Sequence, residues 1–161
     1  MLTQERLKDV LTYDPETGLF TRNYTVSGPN GKIGSQVGTI NSCGYLNCRV
    51  DTKTYKLHRL AFLYMMGYFP KEVDHIDGII INNRWCNLRE CTRTQNRQNL
   101  KKAVATNKTG YLGVYPHKNG TFVAQIQIGN KQVYLGLFRT PELAYASYLE
   151  AKRKNHEFNT L

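Results

Sequence analysis

Apolar positions change their spacing along this chain, and the changes mark out its elements. Leu7, Val10 and Leu11 share one face of a short helix predicted over residues 3–12. Asp14-Pro15-Glu16-Thr17-Gly18 reads as a turn into a strand at Leu19-Phe20-Thr21. Residues 23–44 are rich in Gly, Ser, Asn and Thr and predict loops with short strands. Tyr45–Val50 and Thr54–Leu57 predict a hairpin around Asp51-Thr52-Lys53. The run Leu57–Met66 predicts a buried helix that stops at Gly67, with Pro70 beyond it. Alternation then resumes at Lys71–His75, Asp77-Gly78 signals a turn, and Trp85–Cys91 reads as a second strand. Thr92 and Gln95 have capping-box spacing, which places Asn96 about one turn inside a following helix.

The pattern breaks at residues 100–109, where Asn, Thr and Lys dominate and no apolar period survives. Three strands follow, at Gly113–His117, Thr121–Ile128 and Gln132–Phe138, joined by Lys118-Asn119-Gly120 and Gly129-Asn130-Lys131 turns. Thr140-Pro141 caps a last helix over Glu142–Lys154. Period-two alternation turns Val114, Phe122, Ala124, Ile126, Val133 and Leu135 toward that helix. It turns Tyr115, His117, Thr121, Val123, Gln125, Gln127, Gln132 and Tyr134 outward. The expected class is α+β, with one domain over 1–100, a linker at 101–108 and a small sheet-and-helix module over 109–161.

Charge adds a partner to this picture. Twenty-two Lys and Arg against twelve Asp and Glu give +10 over 161 residues, which favours a polyanion. The excess is uneven: residues 100–161 carry nine basic and three acidic side chains, whereas residues 71–99 carry five and four. No stretch approaches the roughly 18 apolar residues of a membrane span. Residues 1–5 show no signal-peptide pattern, so a cytoplasmic protein is expected. Cys43 with Cys48, and Cys86 with Cys91, fall inside the loose spacing range of zinc ligands, but buried free thiols are the preferred reading.

Candidate chemistry gathers at Asp74, His75, Asn87 and Asn96, in strand-loop-strand-helix order. Hydrolysis of a phosphodiester needs a base for water, positive charge for the departing oxygen, and groups that hold both in line. The imidazole of His75 suits the first task. Asp74 and Asn96 offer hard oxygen ligands of the kind Mg²⁺ or Mn²⁺ prefers. Asn87 could orient the His75 ring and select its tautomer. Adjacent side chains on a strand point to opposite faces, so Asp74 and His75 converge on one site only if the strand end is irregular. In the apolar helix, His58 is expected to make a structural hydrogen bond. Arg59, Arg84 and Arg89 are candidates for phosphate contact or for ion pairs with Asp77 or Glu90.

Leu57-His58-Arg59-Leu60-Ala61, Val73-Asp74-His75-Ile76-Asp77-Gly78, Asn82-Asn83-Arg84, Asn87-Leu88-Arg89 and Thr92 with Asn96 together resemble the signature of HNH endonucleases. The form is the one common in bacteriophage homing enzymes, close over residues 57–100 and loose over 1–56. The resemblance implies a ββα-metal fold, His75 as general base, and Asp74 with Asn96 as ligands of one divalent ion. It also implies Asn87 as the middle Asn that positions the base. Asn96 stands where some members have His, which points to Mg²⁺ or Mn²⁺ rather than tightly held zinc. Asn99 is the alternative ligand if the helix register differs.

Residues 109–161 resemble the APETALA2-type DNA-binding domain through Gly110-Tyr111-Leu112-Gly113-Val114, Phe122–Ile126, Tyr134–Phe138 and Thr140–Ala144. That resemblance implies a three-stranded sheet laid in the major groove of double-stranded DNA, with a helix behind it. Tyr115, His117, Lys118, Gln125, Gln127, Lys131, Gln132 and Tyr134 are the expected contacts, since Gln can pair bidentately with adenine and Lys can reach phosphate. The family's Arg and Trp are largely missing from this face. The expected function is a metal-dependent DNA endonuclease, a monomer or weak dimer with no organic cofactor and no membrane partner. The alternative is a DNA-binding regulator that keeps the nuclease fold as scaffold. RNA is the less favoured partner, because few aromatic side chains cluster as stacking platforms.

Overall fold

A computed structural model describes residues 1–27, 31–104, 106–156 and 158–160. Gly28, Pro29 and Asn30 of the predicted loop stretch, and Ala105 of the predicted linker, lie outside the described residues. The chain forms two compact units, Met1–Cys91 and Thr92–Leu161.

In the first unit, helix α1 (Gln4–Val10) is capped by Thr3 Oγ1, which accepts from the Arg6 amide. It ends earlier than predicted, because Leu11 leaves helical geometry and begins strand β1 (Leu11–Asp14). Strand β2 (Leu19–Arg22) pairs with β1 across the predicted turn and with β3 (Gln36–Val37) on its other side. A second sheet has the order β4 (Thr39–Ile40), β5 (Leu46–Val50), β6 (Lys53–Lys56). Helix α2 (Leu57–Met66) follows β6 directly and buries Leu57, His58, Leu60, Ala61, Phe62 and Leu63. Its apolar residues join Leu7, Leu11, Phe20 and Val50 in one core. Burying side chains of this size contributes roughly 1.5–3 kcal/mol each.

That core is the platform for a two-stranded ribbon, β7 (Glu72–His75) with β8 (Leu88–Cys91), paired Asp74 to Arg89 and His75 to Leu88. Val73 and Leu88 attach the ribbon to the core. The second strand is shorter than predicted, because Trp85–Asn87 forms a turn of 3-10 helix. The loop between β7 and β8 is held from behind by the β1–β2 turn. Gly18 has φ +75°, and a Cβ there would stand 2.4 Å from the Arg84 nitrogen, so only glycine lets the two segments approach so closely.

The second unit opens with helix α3 (Arg93–Gln98). Its predicted capping box is present: Thr92 Oγ1 accepts from the Gln95 amide, and Gln95 Oε1 accepts from the Thr92 amide. An antiparallel sheet has the order β11 (Lys131–Phe138), β10 (Phe122–Ile128), β9 (Val114–Pro116). Helix α4 (Pro141–Asn155) packs on all three strands around Val114, Ala124 and Ala144. Asn107, within the predicted linker, donates from its side chain to the carbonyls of Tyr111 and Val114, which ties it to the start of β9. Two positions depart from simple alternation. Val123 was expected outward but is buried in the central strand. Val133 was expected inward but is 36% exposed, because it lies on edge strand β11 beyond the bulge at Ala124/Gln125.

Candidate active site

Strand β7 delivers Val73, Asp74 and His75 in succession, all buried. The ladder stays regular through His75, so the strand end does not supply the irregularity that would turn Asp74 and His75 to one face, but the Asp74 charge still acts on the His75 ring. The turn starts one residue later, where the Gly78 amide donates to the His75 carbonyl at 2.8 Å. Asp74 lies opposite Arg89, whose Nε and Nη2 both donate to Asp74 Oδ2, at 2.9 and 2.7 Å. Arg89 is therefore ion-paired, and its partner is Asp74 rather than Asp77 or Glu90. Directly facing positions on paired strands bring such side chains together.

The His75 ring meets Asn83, with Nε2 and Asn83 Oδ1 3.1 Å apart. An amide oxygen only accepts, so Nε2 carries the proton and donates, and Nδ1 is the basic nitrogen. Burial lowers the pKa of His75, opposed by the Asn83 bond and by the charges of Asp77 and Asp74. The ring is therefore neutral at physiological pH. His58, on α2, packs edge-on against His75 with centroids 5.0 Å apart, and Tyr45 packs on both rings. Burial first, then the neighbouring His75, drives the His58 pKa down to about 3. No hydrogen bond of the His58 ring occurs among the described residues, so it acts through packing rather than the bond expected of it.

Asn87 does not reach the His75 ring. Its Oδ1 accepts from the Asp77 amide, and its Nδ2 donates to Asp77 Oδ1 and to the Asn82 carbonyl. Asn82 Nδ2 donates to Asp77 Oδ2 at 2.6 Å. Burial works against the Asp77 carboxylate, but the Ile79 amide, Asn82 and Asn87 together hold its pKa below the usual range. Asp77, Asn82 and Asn87 thus lock the loop that carries Asn83. The Asn83 backbone is held as well, since its carbonyl accepts from the Tyr13 hydroxyl at 2.7 Å. Sequence reasoning quoted Asn83 within a motif but gave it no task. An asparagine in an aperiodic loop announces no direction, so the only signal was its place between the two strands.

The remaining candidates are dispersed. Arg59 donates to the carbonyls of Pro70 and Lys71, so it secures the turn after α2. Arg84 is exposed, and its guanidinium has no partner among the described residues. Asn96 lies half-buried in the first turn of α3, in the second unit. Asn99 is the residue that ends α3, and its Oδ1 accepts from Thr160. Cys48 and Cys91 are buried free thiols, whereas Cys43 and Cys86 are exposed. Among the described residues no three His, Cys, Asp or Glu side chains gather as a metal cage. No described helix is long and apolar enough to cross a membrane.

In the second unit a groove of about 460 Å³ collects Tyr115, Gln125, Gln127 and Gln132 beside Arg97 and Gln98. Gln132 donates to Gln125 Oε1 at 2.6 Å, so the amides already form a chain. Among the described residues no acidic side chain lines the groove. His117, Lys118, Lys131 and Tyr134 are exposed but outside it.

Residues 55–98 match the family model described as HNH endonuclease. The chain carries a partial HNH-type nuclease domain. The match begins in β6, takes in α2 and the β7–β8 ribbon, and ends with α3. It covers 44 of 161 residues, and it includes Asp74, His75, Asn83, Asn87 and Asn96. No curated protein and no solved structure matches the chain. The HNH-type domain thus contains the neutral His75, the Asn83 that orients it, and the carboxylate held by Arg89. A mixed α/β region follows it.

Proposed function

We propose that this protein is a metal-dependent DNA endonuclease in which His75 Nδ1 is the general base. The observation that carries it is the His75–Asn83 contact inside an HNH-type domain: a desolvated, neutral imidazole whose tautomer is set by its neighbour. Such a ring can take the proton from a water molecule as that water attacks a phosphodiester. Asn87, Asn82 and Asp77 serve by keeping the loop, and hence Asn83, in position.

The HNH resemblance assigns a hard divalent ion to Asp74 and Asn96, whose oxygen donors are of the kind that Mg²⁺ or Mn²⁺ takes while keeping most of its water. Carboxylate ligands are commonly oriented by a hydrogen bond from behind, and Arg89 supplies one to Asp74. When bound, such an ion supplies positive charge to the scissile phosphate and the departing oxygen. Zinc is the poorer fit to this pair of oxygen donors.

The second half of the proposal is a division of labour: residues 1–100 cut, residues 109–161 bind double-stranded DNA as an APETALA2-type module, and residues 101–108 join them. A site that contacts mainly phosphate selects sequence poorly, and a tethered reader raises the local concentration of the cutter at its target. Target choice of the homing type follows from that arrangement. The competing reading is a non-catalytic DNA-binding scaffold, favoured by the hold Arg89 has on Asp74.

A plasmid assay with Mg²⁺, Mn²⁺ or EDTA separates the two. Cleavage that depends on the ion and falls at least a hundredfold in His75→Ala supports the endonuclease. DNA binding without cleavage under every ion supports the scaffold. Cleavage that survives both EDTA and His75→Ala rejects the mechanism.

A further inference from the structure

The loop between β7 and β8 carries three consecutive isoleucines in the turn just after His75. The middle one, Ile80, is anchored against Gly44. That glycine has φ +84°, and a Cβ there would stand 2.8 Å from Ile80 Cδ1. Its two neighbours are open to solvent, with 54% of Ile79 and 49% of Ile81 exposed. A single exposed isoleucine is ordinary on a protein surface. Two on one turn, beside an anchored third, are a shaped apolar projection.

The turn is also stiff. The Ile79 amide donates to Asp77 Oδ1 at 2.8 Å, the Asn82 amide to the Ile79 carbonyl at 2.9 Å, and Asn82 Nδ2 to Asp77 Oδ2. The same segment continues into Asn83, the partner of His75. Ile79 and Ile81 thus sit on the loop that joins His75 to its partner Asn83. Arg84 stands three residues beyond Ile81, exposed and without a partner among the described residues.

We propose that Ile79 and Ile81 are a wedge that inserts between base steps of the DNA brought to His75, unstacking and bending it at the cleavage site. The proposal rests on the DNA-cutting reading above. Apolar side chains of this size open base steps in architectural DNA-binding proteins and kink the duplex. An exposed apolar turn with the exposed Arg84 three residues on, in a chain of net charge +10, complements stacked bases bordered by phosphates. An apolar protein partner would need no such charge.

The test compares a short duplex containing a central single-base mismatch with its fully paired counterpart. Each carries 2-aminopurine beside the central step, and the full chain is added in EDTA so that no strand is cut. A mismatched step costs less to unstack. The wild type is expected to bind it about tenfold more tightly and to raise 2-aminopurine emission. Ile79→Asn/Ile81→Asn is expected to bind both duplexes equally and leave emission unchanged, while Ile79→Leu/Ile81→Leu behaves as the wild type. If the double Asn variant melts early, Ile81→Asn alone carries the comparison. Equal wild-type binding with no change in emission overturns the wedge and leaves the nuclease reading intact. Failure to bind either duplex at low salt overturns both. A self-association that the Asn variant dissolves, without any base unstacking, assigns the face to a second copy and also overturns the wedge.

Discussion

Asn83 Oδ1 accepts the proton-bearing Nε2 of His75 at 3.1 Å, and this one contact decides which ring nitrogen is basic. Removing it takes away the acceptor of a buried N–H and one of the contacts that fix the ring's tautomer. Asn83→Ala should therefore lower the cleavage rate about 10–100-fold with little change in DNA affinity, as loss of an orienting partner commonly does. Nicking kinetics measure the rate, and imidazole nitrogen shifts report the tautomer. An unchanged rate together with an unchanged Nε2–H tautomer would separate Asn83 from His75.

Asn87 makes its contribution through stability. Its amide satisfies the Asp77 backbone, the Asp77 carboxylate and the Asn82 carbonyl at once. Asn87→Ala leaves those half-buried groups without this partner. A cost of about 2–4 kcal/mol is expected from the hydrogen bonds lost and the groups left unsatisfied. Thermal melts should show the HNH-type region unfolding earlier. A melting temperature within a degree or two of wild type would mean that water replaces the amide without penalty.

Much of this arrangement was legible in the sequence, for identifiable reasons. The capping box at Thr92–Gln95 appears because its two side chains bond to backbone amides a fixed distance away. The stop of α2 at Gly67 and the hairpin around Asp51 are equally local. What could not be read depends on packing at a distance. Tyr13 and Asn83 meet across 70 residues, and nothing near either one announces it. The pairing of Arg89 with Asp74 followed from the exact register of two strands, which apolar alternation leaves undetermined. The shortened β8 and the buried Val123 have the same origin: tertiary contacts overrode a local pattern.

Binding to DNA should depend steeply on salt if the exposed lysines of the sheet turns touch phosphate. Lys118 and Lys131 flank β10 at opposite ends, and both are exposed. Each neutralised phosphate contributes about 0.9 to the slope of log K against log salt. Lys118→Ala and Lys131→Ala should each flatten that slope by about this amount and weaken all sequences alike. Titrations at several salt concentrations give the slope directly. A slope that neither substitution moves would take the lysines out of the interface.

His58 makes the first unit sensitive to acid. Its folded pKa, about 3, lies below the ordinary imidazole value of 6.5 that it regains on unfolding. Between those values the unfolded chain binds a proton that the folded one does not, so stability falls as pH drops below 6.5. At pH 5 the loss is about 2 kcal/mol, from roughly 1.4 kcal/mol per unit. The lowered pKa of His75 acts in the same direction. Substituting His58→Phe should remove most of this acid sensitivity while keeping a ring against His75. Denaturant melts at pH 5 and pH 7 test it, and an equal pH dependence in both proteins would assign the effect elsewhere.

Lys152 gives the second unit the opposite kind of dependence. It is 1% exposed on α4, and its Nζ donates to the Leu100 carbonyl. Burial, with help from nearby Lys101, lowers its pKa to about 8. The unfolded chain keeps this proton up to about 10.5, so the full penalty of a buried ammonium is present below 8. Stability should rise with pH from about 8 to about 10.5, by on the order of 3 kcal/mol across the window. Lys152→Met keeps the length of the side chain and has no proton to lose. That variant should lack the gain in stability that Lys152 gives the wild type in this window, so the wild type gains on it as pH rises. If the wild type gains nothing on it from pH 8 to 10, the ammonium is solvated in solution, and the bond to Leu100 costs the fold nothing.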